Sequence, residues 1–217
     1  MAANPSSAFF DPMEIFMRLA KVLVLGASLA TASSVHAFGV GARIGTTGVG
    51  GDVAWSIAPT LSARLGYSAL SWSKDVSTDT VRYDGKLKLS NLSGLLDFHP
   101  LGPFRLTGGL VANDNKYDLR AERPGGSLEG TVKAGRRTAP YLGIGYGNVA
   151  GLGVNFYADF GLIFQGSPKA TLTANCAPST ACTALQNEAA AEQARLEDEL
   201  KRFKYYPVLN IGITIGF

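Results

Sequence analysis

Histidine and cysteine are scarce in this sequence: 217 residues hold two of each. His36 falls in the leader described below, which leaves His99 beside a proline as the one histidine after it. A histidine-based metal centre or a Ser–His nucleophile pair therefore has almost nothing to draw on. No carboxylate pair has a spacing specific to acid–base chemistry. The glycines of Gly143-Ile144-Gly145-Tyr146-Gly147 lie on a strand face and do not open a helix, so a phosphate cradle is not expected there. The sequence points to no enzyme activity, no cofactor and no metal. An excess of one charge is missing too: Lys+Arg 20 against Asp+Glu 17 gives +3 at pH 7. That balance, without a basic cluster along the chain, argues against nucleic acid as a partner. Nor does any segment after residue 37 approach the run of about 20 apolar residues that a spanning helix needs. If the chain is in a membrane, it is there as a closed barrel.

What is present is alternation. From Leu209 the chain places Leu209, Ile211, Ile213, Ile215 and Phe217 on one face and Asn210, Gly212, Thr214 and Gly216 on the other. A soluble strand can show this period of two. An apolar face that ends on a terminal aromatic, opposite small and polar residues, is what a membrane barrel strand needs, and it looks like the insertion signal of bacterial outer-membrane proteins.

The start of the chain agrees. Met17-Arg18-Leu19-Ala20-Lys21, an apolar stretch from Val22 to Ala30 and small residues up to Val35-His36-Ala37 have the order of a secretory signal peptide. The expected organisation is a leader over 1–37, comprising an upstream start over 1–16 and a signal peptide over 17–37, followed by a barrel over 38–217. Seven further alternating segments precede the last: 38–46, 49–57, 61–69, about 86–98, 104–113, one ending in 139–146, and 154–164. In the fourth, the apolar face moves from Leu87 and Leu89 to Leu92, Leu96 and Phe98, which suggests a bulge or a change from loop to membrane. The fold class expected is all-β: an eight-stranded antiparallel transmembrane β-barrel with a short helix in the last long loop. Short turns at Ala58-Pro59, His99–Pro103 and Asn148–Gly151 fall on the periplasmic side. Polar connections at Ser73–Asp84 and Arg120–Gly130, and the excursion Gln165–Lys204, fall outside.

The excursion carries both cysteines, Cys176 and Cys182. In an oxidising compartment a local disulfide is expected, with two free thiols as the alternative. Leu185, Ala189, Leu196, Leu200 and Phe203 then recur at helical spacing. They imply a helix packed on the barrel mouth; a dimer contact or an amphipathic membrane contact is the other reading.

Side-chain parity turns Arg43, Arg64 and Arg105 inward, together with Asp52, Asp97 and Asp159, with Asp97 depending on the suspected bulge. Charges removed from water are costly unless paired, so these six are expected to form a network. Either the network fills a barrel whose interior is about wide enough for side chains, or it lines and gates a charged constriction. The function expected is narrow passive passage of small polar solutes such as amino acids, with a closed barrel serving as a structural or surface-interaction scaffold as the alternative.

Several segments resemble the CarO family of carbapenem-susceptibility-associated outer-membrane proteins. They are Gly41-Ala42-Arg43 with Gly45-Thr46-Thr47-Gly48-Val49-Gly50-Gly51, Leu65-Gly66-Tyr67, Ser71–Asp75, Ala139–Gly143, Gly166–Lys169, Ala191–Ala194 and Tyr205–Val208. The resemblance implies an eight-stranded barrel in the bacterial outer membrane, with outer-membrane lipid as surroundings and uptake of small or basic amino acids as the associated activity. It carries over no binding residue, and the cysteine pair is not part of it.

Overall fold

The alternating segments pair with their neighbours and close on themselves. The computed structural model describes residues 37–77, 82–123 and 126–217. The expected leader lies outside them except for Ala37. Eleven strands form one antiparallel sheet: β1 (Phe38–Gly45), β2 (Gly48–Ala58), β3 (Leu61–Ser77), β4 (Arg82–Leu101), β5 (Phe104–Asn113), β6 (Lys116–Arg123), β7 (Gly126–Lys133), β8 (Thr138–Gly147), β9 (Gly153–Ile163), β10 (Lys169–Cys176) and β11 (Tyr206–Gly216). Eight of them, in the order β4-β3-β2-β1-β11-β9-β8-β5 and back to β4, make a closed ring. Closure joins the first strand to the last, with Gly39 opposite Gly216. The backbones of Phe38 and Phe217 exchange hydrogen bonds of 3.1 and 2.9 Å, and their rings stack at 6.3 Å.

Closure satisfies every barrel strand's backbone without exposing an edge. It also sorts the side chains. Ile44, Leu65, Leu92, Leu96, Leu106, Leu142, Phe156, Phe160 and Ile211 all point outward and are exposed. That band, with Phe104 and Tyr146 edge-to-face at one rim and Phe164 and Tyr205 at the other, is the lipid-facing surface of a transmembrane barrel.

The polar stretches expected to be loops, 73–84 and 120–130, are strand wherever their residues are described. β3 and β4 run past the ring in unbroken register from Leu61↔Phe98 to Ser77↔Arg82. The register β4 makes with β5, Asn91↔Asn113, carries straight on into β6 at Lys88↔Lys116. β7 adds to β6 and β10 to β7. Five strands thus form an outer wall above one side of the ring. Alternation of polar and apolar residues, not an apolar face alone, is what these segments share with true strands. The same unbroken register removes the suspected bulge in β4: Leu87 and Leu89 lie on the lumen side of the wall, and Asp97 faces the lumen without any slip.

The helix α1 (Thr180–Leu200) follows β10, with Ser179 as its N-cap accepting the Cys182 N–H. It packs on β10, where Gln193 Oε1 accepts the Leu172 N–H at 2.9 Å and so covers part of that strand's free edge. Ala189 on the helix and Ala170 and Ala174 on β10 are buried. The expected apolar stripe is thus real, but it seats on the outer wall, while Phe203 stays exposed.

Candidate functional site

Six charged side chains meet inside the ring, and all are nearly inaccessible: Arg43 5%, Asp52 2%, Arg64 1%, Asp97 0%, Arg105 1% and Asp159 3%. Strand alternation puts them there, on the face opposite exposed apolar residues such as Ile44, Val53, Leu65, Leu96, Leu106 and Phe160. Arg64 binds Asp159 at 2.7 Å and Asp97 at 3.1 Å. Arg105 binds Asp159 at 2.6 Å and lies 3.9 Å from Asp97. Arg43 donates to Asp52 at 2.9 Å and reaches Ser93 at 3.3 Å. Thr107 donates to Asp97 at 2.6 Å. Three cations and three anions cancel, as a region screened from water demands.

Tyr157 joins the two halves of this network. Its hydroxyl donates to Asp52, and the guanidinium carbons of Arg64 and Arg105 each lie 5.3 Å from its ring centroid, within cation–π range. The ring fits because its neighbour on β11 is Gly212, where a Cβ would run into it.

Further layers close the ring on both sides of the charges. Towards the outer mouth, Leu95, Val111, Ala139, Tyr141, Ile163 and Val208 form an apolar cluster. Beyond it, Thr47 bonds Asn210 at 3.1 Å, and Asn113 bonds Gln165 at 3.2 Å. Towards the periplasmic rim, the β8–β9 turn folds inward. Val149 and Ala150 are buried against Ala54 and Tyr157. Asn155 holds this turn by donating to Gly151 O at 2.7 Å and Gly153 O at 3.0 Å. Gly39 and Gly216 leave room for it, because a Cβ at either would overlap the carbonyl oxygen of Val149 or Gly151. A cavity of about 20 Å³ lies in the lumen, lined by Arg43, Asn91, Leu95, Tyr141, Asp159 and Asn210 among others. That is room for about one water molecule.

Parity located the six charges, but not what surrounds them. Tyr141 was legible by the same alternation, opposite Pro140 and Leu142. Val149 was signalled only by an apolar residue in a short turn. His99, near the periplasmic end of β4, donates its backbone N–H to Thr60 O at 2.8 Å. Cys176 and Cys182 are joined by a disulfide with Cα atoms 5.7 Å apart, which ties the end of β10 to the first turn of α1.

No protein-family model matches the sequence, and no curated protein matches it. Solved structures do. The crystal structure of CarO from Acinetobacter baumannii superposes with a TM-score of 0.59 at 23% identity, covering 82% of this chain and 97% of that one. CarO2 from the same organism gives 0.57 at 22% identity, covering 85% of this chain and 100% of that one. At this identity the likeness speaks for the fold, which is a β-barrel like that of CarO.

Proposed function

We propose that the chain is an integral barrel of the bacterial outer membrane, closed at rest, that serves as a scaffold holding a folded wall and helix outside the bilayer. The observation that carries this reading is the filled lumen. Three compensated cations and anions, an apolar layer and an inturned turn occupy it, and the cavity beside Arg43 and Asp159 holds about 20 Å³. No solute larger than water passes a void of that size.

A second reading keeps the six charges as a gate. Asp159 is shared by Arg64 and Arg105, so its pairings have alternatives. The ammonium and carboxylate of a small amino acid are the groups that would replace them. In that reading Arg43, Asp52, Arg64, Asp97, Arg105 and Asp159 line the path, and small polar solutes such as amino acids pass when the network opens.

Swelling of liposomes that hold the folded chain separates the two. Glycine, ornithine, glutamate and a neutral sugar are compared with empty liposomes, folding being checked by heat-shifted gel mobility. The scaffold reading expects swelling no faster than in empty liposomes. Selective swelling with glycine or ornithine would overturn it in favour of the gate.

A further inference from the structure

Four lysines that are far apart in sequence stand in one row across the outer wall. Lys88 on β4 is directly opposite Lys116 on β6. Lys116 is opposite Lys133 on β7, and Lys133 is opposite Lys169 on β10. Neighbouring strands lie roughly 4.8 Å apart, and like charges directly opposite one another destabilise a sheet. Lys88, Lys133 and Lys169 form no ion pair among the described residues. Lys116 lies 3.4 Å from Asp118. Burial raises the Asp118 pKa, but the Thr131 hydroxyl and the charges of Lys116 and Lys88 outweigh it and hold the carboxyl below its usual range. Asp114 flanks Lys116 on the other side, Lys86 flanks Lys88, and threonines Thr131 and Thr171 flank the remaining two. The row therefore keeps an excess of positive charge.

Its place relative to the membrane is fixed by parity. The β3–β4 register is uninterrupted, so Lys88 lies on the same face as the exposed, lipid-facing Leu92, Leu96 and Phe98. Four residues separate Lys88 from Leu92, about 13 Å along the strand and less in height once the barrel tilt is allowed for. That is the zone of the headgroups, just outside the hydrocarbon. The sign changes farther out: Asp75, Asp84, Arg120 and Glu129 form the row two steps beyond. Arg120 there is occupied by Glu122 at 3.1 Å and Glu129 at 3.3 Å. Positive charge is thus concentrated nearest the lipid, and negative charge is set away from it.

We propose that Lys88, Lys116, Lys133 and Lys169 form a cationic ladder that binds the phosphate groups of outer-leaflet lipid headgroups. The ladder needs the barrel to reside in the outer membrane but holds whether or not the lumen conducts. Lipid phosphates are the counter-charge that removes the like-charge cost of the row.

The test places the full mature chain, wild type and K88Q/K116Q/K133Q/K169Q, in phosphatidylcholine vesicles with and without phosphorylated lipid A. The urea midpoint of unfolding is the readout. The expected result is that phosphorylated lipid A raises the wild-type midpoint and leaves the variant's unchanged, while dephosphorylated lipid A raises neither. The milder variant K133Q/K169Q, which shows about half the rise, stands in if the quadruple variant fails to give heat-shifted mobility. An equal rise in wild type and variant, or an equal rise with dephosphorylated lipid, overturns the proposal. So does the same rise with millimolar inorganic phosphate in plain phosphatidylcholine, which would make the ligand a soluble phosphate. A wild-type chain that does not insert at all would instead refute the outer-membrane reading.

Discussion

Inside the ring, Arg64 and Arg105 share Asp97 and Asp159, Arg43 has Asp52, and the side chains concerned are almost wholly inaccessible. On the outer wall, Arg120 reaches Glu122 and Glu129 with side chains about half exposed, and lysines stand opposite lysines. The two regions share β3 and β4 and follow the same alternation. They differ in what surrounds them. Where water is excluded, the protein must supply every counter-charge itself, and sharing Asp97 and Asp159 between two arginines does so in little space. Where water and headgroups reach, rows of one sign are tolerated, because the surroundings screen or neutralise them. A charge in the lumen is therefore paired within the protein, whereas a charge on the wall is left to its surroundings.

The largest expected effect comes from Asp159→Ala. It strips two buried arginines of a partner and should cost about 3–5 kcal/mol in vesicle-based urea unfolding. A loss near that of a surface pair would break the comparison. Next is Gly39→Val, which drives a side chain into the inturned β8–β9 turn. Overpacking of this kind costs about 1–3 kcal/mol. If the turn yields rather than the strand, the periplasmic rim opens, and protease cleavage near Leu152 becomes faster than in wild type. Replacing both cysteines by serine releases a crosslink between positions only six apart in sequence. The loop-entropy relation gives about 2 kcal/mol. The loss should be confined to β10 and α1, so amide exchange should quicken there and stay unchanged in the ring. Glu129→Ala is the smallest change. It removes one partner of a half-exposed arginine and should cost less than about 1 kcal/mol. A loss like that of Asp159→Ala would show that the wall is as dry as the lumen.

Much of this was legible in the residues. The ring strands announce themselves because lipid on one side and a crowded lumen on the other enforce a strict period of two. Arg43, Asp52, Arg64, Asp97, Arg105 and Asp159 could be turned inward from parity alone. The wall was not legible in the same way. Segments such as 73–77 and 120–123 lie on the wall, where alternation sets charged residues against mixed ones and reads as polar loop. β10 was hidden for the same reason within the excursion that also holds α1.

The sequence by itself determined that the chain alternates as a membrane barrel does, which charges face inward, and that a helix with a nearby cysteine pair precedes the final strand. These are local properties, carried by side-chain period and by neighbours along the chain. Only the tertiary structure decided how the lumen is packed, because that packing depends on Tyr157, Gly212 and Val149 arriving together from β9, β11 and a turn. It alone decided that Lys88, Lys116, Lys133 and Lys169 share a row, since cross-strand register is a relation between distant segments that no local pattern encodes.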